Sequence, residues 1–393
     1  MAKFDFNTSR YARLWGKSES DARLLTTVVN DENIIGVNTS WYLTQGSIDP
    51  SFTPVDSNGL ATFTVRERAL KAAPMADLRA PLGDAIQADA EGVNMYSASI
   101  PDFTTRKFVD TAMSLADKQK RYEAVGNDEE IMKQWVKDIT WLRASMDGTM
   151  NWLTAQLMTK GFINYTKIGK GVYSPIHKAD IPADNFCKAG EKVWTDPQAT
   201  IITYMQEIED KYRQKWGWSG AMKWQMTKNF FLRVFMKNKE VLDKVNEFRT
   251  LQDLVSVSFS SLNQDIFNNA WEQIRLAFGL SRIELVEEKE FNSNHEGESF
   301  VHGWDDKYVV LRPEGDAVRF MRKQILDETY APYLNDSTQR SLTSFNGGLG
   351  TLVNTVTPNG LYKQWETVVW FSCVPALVEF TKHVIVDTSS ANG

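Results

Sequence analysis

The sequence predicts an α+β chain assembled from distinct parts. Three observations carry this. A stretch of about 33 residues, 128 to 160, has helical apolar periodicity. Runs with strand-like alternation lie on both sides of it. The first hundred or so residues show little core-forming pattern.

Residues 1–50 scatter Asn, Thr, Ser and Gly among isolated aromatics, which predicts an extended arm that orders only against a partner surface. Residues 51–110 mix short β-type runs such as LATFTVRERA with Pro54, Pro74, Pro81, Gly83 and Pro101. This predicts a long hairpin or extended loop, and excursions of that length are usually functional or interfacial.

The long helix opens on Asn127, a good N-cap, with Glu130 completing a capping-box pattern and Glu129 favouring the positive end of the helix dipole. Met132, Trp135, Ile139, Leu142, Met146, Met150, Leu153 and Leu157 recur at steps of three and four, forming one stripe. Gly161 sits at the C-terminal cap position. At 1.5 Å per residue the rod is roughly 50 Å long, and its stripe needs a sheet or a neighbouring chain. Gly148 inside it costs about 1 kcal/mol relative to Ala and marks a bend or a close packing point.

Next come a hairpin about Gly169 and Gly171, the segment Trp194-Thr195-Asp196-Pro197 and a helix over about 198–214. A Trp-rich connection, KWGWSGAMKW, leads to a helical stretch, MTKNFFLRVFMKNKEVLDKV, and a further helix over about 262–278. Two strands, in SRIELVEEKEF and DKYVVLRPEG, flank a polar loop with His295 and His302. A turn-rich SFNGGLG and final strands in LYKQWETVVWF and EFTKHVIVDT close the chain.

Composition narrows the function. Hydrophobic residues make up 42% and charged residues 24%, which predicts a packed core. The net charge of −6 argues against tight nucleic-acid binding, which Lys and Arg drive by releasing counterions. Cys187 and Cys373 are expected to be reduced and buried. No secretory signal and no membrane span are read, so the place of synthesis is expected to be the cytoplasm. The 13 Trp and 21 Phe fit either a Trp-rich core or an extensive contact surface.

No catalytic, cofactor or metal residue is assigned. Gly169-Lys170-Gly171 joins strand to strand, and Asn346-Gly347-Gly348-Leu349-Gly350 lacks the Lys-Ser/Thr of a nucleotide loop; both read as turns. His177, His295, His302 and His383 lack metal spacing. A Cys187 nucleophile with His177 as base has nothing to specify its geometry. The acids Glu284, Glu287, Glu288 and Glu290 read as the solvated side of a strand and its turn, against the alternative of a glycosidase pair.

The ordered series of segments resembles the lambda-type major capsid protein family, with its Hong-Kong-97-type fold. The resemblance covers about 120–390. RASMDGTMNWLTAQLMTKGFINY is similar to the family's Arg-bearing spine helix and following hairpin. Trp194-Thr195-Asp196-Pro197 is similar to its Trp-x-Asp-x segment, and MTKNFFLRVFMKNKEV to an axial-domain helix. FGLSRIELVEEKEF with DKYVVLRPEGDAVRF, and the close ETVVWFSCVPALVEFTKHVIVD, are similar to its later strands. The arm, the loop, and the stretch with Trp216, Trp218 and Trp224 depart from it.

The resemblance implies an N-terminal arm (1–50), an extended loop (51–110), a peripheral domain (111–195) with spine helix 128–160, an axial domain (196–344) and a C-terminal return (345–393). It implies a major capsid protein, not an enzyme and without cofactors. Such a subunit forms hexameric and pentameric capsomers of an icosahedral head around phage dsDNA. Scaffold, portal and decoration proteins are its implied partners, and the virion its location. A nanocompartment shell of the encapsulin type and a soluble carboxylate-dependent glycosidase are the alternatives.

Overall fold

The computed structural model describes residues 41–57, 60–68, 93–105, 108–111, 128–165, 177–217, 220–248, 264–286, 291–292, 300–301, 303–323, 339–359 and 362–392. A short helix, α1 (Trp41–Thr44), leads into β1 (Gly46–Phe52). Both lie largely within the stretch read as arm, yet Tyr42 is fully buried. β2 (Ala61–Arg68) and β3 (Val93–Ile100) pair antiparallel over their whole length as a two-stranded ribbon. β4 (Phe103–Thr104) and β5 (Phe108–Thr111) follow.

The spine is α2, Asp128–Lys160. Gly161 takes φ +70° and its N–H reaches the Leu157 carbonyl at 2.9 Å, the cap the sequence predicts. Ile139, Leu142, Met146, Met150, Leu153 and Leu157 are all buried, as the stripe requires. Asn127 and the side chains of Met132 and Trp135 lie outside the described residues. Burial goes further than a stripe. Every residue from Met150 to Thr159 is buried, so the second half of α2 is enclosed on all sides.

A polar seam runs along this rod. Arg143 and Asp147 are one turn apart with N and O at 3.7 Å, and both are buried. Tyr42 donates its hydroxyl to Asp147 (3.0 Å) and its backbone N–H to Asn151 (2.9 Å). Asn346 accepts from Arg143 (2.9 Å) and donates to the Tyr42 oxygen (3.1 Å). α1 and the Asn346 turn are thereby fastened to α2 by hydrogen bonds as well as by apolar contact. The NGGLG segment is a turn, Asn346–Gly348, with Gly347 and Gly348 at positive φ.

The second half of the body is helical. It contains β6 (Phe186–Lys188), α3 (Ile201–Trp216), β7 (Met222–Thr227), α4 (Lys228–Arg233), α5 (Lys239–Phe248) and α6 (Gln264–Phe278). The stretch from Met226 to Val245, expected as one helix, is broken twice. Thr227 caps α4 by accepting the Phe230 N–H, and Asn238 accepts the Val241 N–H at the head of α5. The hairpin about Gly169 and Gly171 lies outside the described residues. Its flanks do pair antiparallel, with Phe162 against Lys178.

The remaining strands are β8 (Arg282–Val286), β9 (Phe291–Asn292), β10 (Phe300–Val301), β11 (Tyr308–Pro313), β12 (Val318–Arg322), β13 (Gln339–Phe345), β14 (Gly350–Asn359), β15 (Tyr362–Phe371), β16 (Cys373–Leu377) and β17 (Val384–Asp387). They form a three-stranded sheet β1-β12-β16, a sheet β13-β14-β15 edged by β4 and β5, and a central sheet β6-β17-β11-β7-β8. β9 and β10 pair with each other.

The central sheet divides the body. On β11, Val309 and Leu311 enter a second core with α3 to α6, while Val310 enters the first core with α2. On β17, Val384 and Val386 face the second core and Ile385 the first. Alternate residues on one strand therefore serve two cores, as the period of two dictates. Each large apolar side chain so buried contributes roughly 1.5–3 kcal/mol.

Candidate assembly surface

Among the described residues, the ribbon offers an exposed face beside unpaired strand edges. Its strands alternate. Ala61, Phe63, Tyr96, Ala98 and Ile100 turn inward and are buried in the first core. Thr62, Thr64, Arg66, Val93, Met95 and Ser97 turn outward and are exposed. Val93 and Met95 are each 60% exposed, among the most exposed large apolar side chains of the described residues. Among the described residues, no third strand pairs with either edge of the ribbon. Open strand edges are templates for pairing with another chain.

The root of the ribbon is anchored to the body. Tyr96 donates its hydroxyl to the Leu377 carbonyl at 2.9 Å and meets Phe380 edge-on at 5.1 Å. The Glu67 carboxylate accepts the Thr381 N–H at 2.9 Å and the Thr381 hydroxyl at 2.6 Å. Burial holds the Glu67 carboxyl above the usual carboxylate range, against the pull of those hydrogen bonds.

A second feature of the architecture is the junction of the two cores. On the first-core face of the central sheet, β7 presents Lys223 and Gln225, β11 presents Arg312 and β8 presents Glu284. Gln225 donates to Gln45 (2.8 Å) and Glu284 (2.8 Å), and Arg312 donates to Gln225 (2.9 Å) and Gln45 (3.2 Å). Lys223 pairs with Glu284 at 2.5 Å. Burial and the neighbouring Arg312 guanidinium lower the Lys223 pKa. At Glu284 burial acts upward, but the hydrogen bonds and charge of Lys223 bring the carboxyl below its usual range. Two cations on this face thus share one carboxylate, and the neutral amides of Gln45 and Gln225 fill the remaining hydrogen bonds.

This corrects two sequence readings. Glu284 does not lie on a solvated strand side; it closes a half-buried network. The strand β7 spans the end of the stretch read as a Trp-rich connection and the start of the one read as helical, and its Met222, Trp224 and Met226 are buried. The alternation Met-Lys-Trp-Gln-Met was the signal. Glu287, Glu288, Glu290, His295 and His302 lie outside the described residues.

The structure does not bring the considered nucleophile and base together. Cys187 lies half-buried on the edge strand β6, 3.5 Å from the Tyr212 hydroxyl, and is not the buried thiol expected. His177 sits under the ribbon against Phe63 and Tyr96. His383 is buried elsewhere, its Nε2 at 2.6 Å from the Met158 carbonyl. Both cysteines are free, and Cys373 is buried. Among the described residues no three of His, Cys, Asp and Glu converge as metal ligands, and no helix is long and apolar enough to cross a membrane.

No model of a known protein family matches the chain, and no curated protein matches it. Among solved structures it is similar to a prophage protein of E. coli CFT073 described as a capsid protein, with 11% identity over 93% of this chain and 98% of that one and a TM-score of 0.48. It is similar to the cyanophage A-1(L) capsid chain, with 10% identity over 92% and 94% of the two chains and a TM-score of 0.44. A phage-related protein of Bordetella bronchiseptica RB50 shows 12% identity over 93% and 96%, with a TM-score of 0.42. The chain resembles phage capsid proteins along most of its length.

Proposed function

We propose that this chain is the major capsid protein of a tailed phage, a subunit shaped for tiling. The observation that carries the reading is the ribbon, rooted in a two-core body while, among the described residues, its outward face is exposed and no third strand pairs with its edges. In that role, ribbon and arm join neighbouring copies into hexameric and pentameric capsomers of the head. Contacts that are weak singly become strong on a closed lattice, because each neighbour raises the effective concentration of the next. The net charge of −6 limits adhesion to enclosed dsDNA. Scaffold, portal and decoration proteins are the further partners of that role. It requires no cofactor and no catalysis, and it places the mature subunit in the virion after assembly in the host cytoplasm.

The domain limits follow the same proposal: arm 1–50, loop 51–110, peripheral domain 111–195, axial domain 196–344 and return 345–393. The test is assembly of the purified full chain, followed by sedimentation and electron microscopy. Capsomer-sized rings or closed shells are expected. A chain that stays monomeric at millimolar concentration overturns the reading. Removing residues 1–40 leaves the Tyr42 anchor on Asn151 and Asp147 intact, so that truncation is expected to fold and to lose closed shells. Normal particles from it would refute the role given to the arm.

A further inference from the structure

His177 is a buried titratable group to which the proposed function gives no role. It is 2% exposed, and among the described residues neither ring nitrogen has a hydrogen-bond partner. Its backbone carbonyl accepts the Ile163 N–H at 2.9 Å, fixing the residue just beyond the end of α2. Its ring meets Phe63 of β2 at 5.8 Å, close to perpendicular, and Tyr96 of β3 at 6.5 Å. Those two aromatics are the inward-facing anchors of the ribbon. A neutral imidazole fills this space as a small aromatic ring does. An imidazolium there is a charge enclosed by apolar rings, with both N–H donors unpaired.

We propose that His177 is an acid-sensitive latch holding the root of the ribbon to the body: once protonated it must leave the space beneath Phe63 and Tyr96, and the ribbon lifts from it. The latch belongs to a single chain and stands whether or not chains tile.

Among the described residues, the charged and titratable groups on the elements around it are paired or turned to solvent. On β2, the Glu67 carboxylate is held by Thr381. On β3, the Tyr96 hydroxyl is held by the Leu377 carbonyl. On the turn after β16, Glu379 pairs with Lys382 at 3.0 Å. On its own segment, Lys178 and Asp180 are exposed. Burial by itself draws the His177 pKa from the ordinary 6.5 down to about 3. The sign follows. The lifted state takes up a proton near the ordinary value and the latched state resists it. The latch is therefore intact above about pH 6.5 and weakens as pH falls, about tenfold in the opening equilibrium per pH unit.

Amide hydrogen exchange of the purified full chain from pH 7.5 to 4.5, corrected for intrinsic rates, tests this. Opening of residues 61–68 and 93–100 is expected to rise about tenfold per pH unit below about pH 6, while α2 stays protected. His177→Phe, which keeps an aromatic ring and cannot titrate, is expected to flatten that slope. Glu67→Gln, which removes the carboxyl that β2 brings to the root, is expected to keep it. Parallel opening in His177→Phe and the parent chain overturns the latch, and so does a slope abolished by Glu67→Gln. If His177→Phe does not fold, the ring of His177 is followed by NMR in the parent chain. Protonation in step with ribbon opening supports the latch; protonation near pH 6.5 under a protected ribbon, or an open ribbon over a neutral ring, overturns it.

Discussion

Glu209 is a buried carboxylate in the middle of α3, 1% exposed, on the face that otherwise carries Ile202, Met205, Ile208 and Tyr212 into the second core. It accepts from the Trp224 indole N–H at 2.7 Å, from the Ser281 N–H at 2.7 Å and from the Ser281 hydroxyl at 2.8 Å. The Arg213 guanidinium stands 3.4 Å away. One carboxylate thus joins α3 to β7 and to the start of β8. Glu209→Ala removes the two oxygens that accept all three hydrogen bonds and leaves the indole and the Ser281 N–H buried without those partners. Truncating one member of such a buried charged network costs about 3–5 kcal/mol. At a slope of about 3 kcal/mol per molar urea, the unfolding midpoint should fall by roughly 1–1.7 M. Glu209→Gln keeps one acceptor oxygen but turns an amide N–H₂ toward Arg213, so its loss should lie between alanine and the parent. Denaturation read by near-ultraviolet circular dichroism decides. A midpoint for Glu209→Ala within about 0.3 M of the parent refutes the reasoning.

Three further outcomes are expected. Gly46→Ala places a Cβ 1.8 Å from the Val318 carbonyl oxygen across the parallel β1–β12 pair; it should cost at least about 2 kcal/mol in the same melts. Burial lowers the His383 pKa to about 4, so the unfolded chain protonates first. Its stabilising effect is complete above about pH 6.5 and is lost at about 1.4 kcal/mol per pH unit toward pH 4. His383→Gln should flatten that part of a stability profile measured by urea melts. Thiol labelling of the native chain should be biphasic, because Cys187 is half-buried on an edge strand and Cys373 is wholly enclosed with its thiol pKa pushed far up by burial. Fast labelling of both would show that β16 opens readily.

What could be read from the sequence follows where the residues were locally unambiguous. Helix α2 combines a strong apolar period with a glycine cap, and its limits coincide with the pattern. β11 and β17 are runs of branched apolar residues and were found as strands. β7 was missed because its buried Met222, Trp224 and Met226 alternate with Lys223 and Gln225, whose burial depends on Glu284 and Arg312 from distant strands. Arg143, Asp147 and Asn151 look like the polar side of a helix, and only Tyr42 and Asn346 explain why they are enclosed. The openness of the ribbon was foreshadowed by weak periodicity, but its root was not. Phe63 and Tyr96 are anchors only because His177 and Phe380, far along the chain, come to meet them.

The central sheet has a mechanical consequence. Its strands are stitched to both halves of the molecule by alternate side chains, so one residue of slippage on β11 or β17 would turn both hydrophobic interiors inside out at once. A force pulling on either half is met by the same hydrogen-bond ladder of the central sheet. The two cores that share this sheet should therefore move together as one stiff unit.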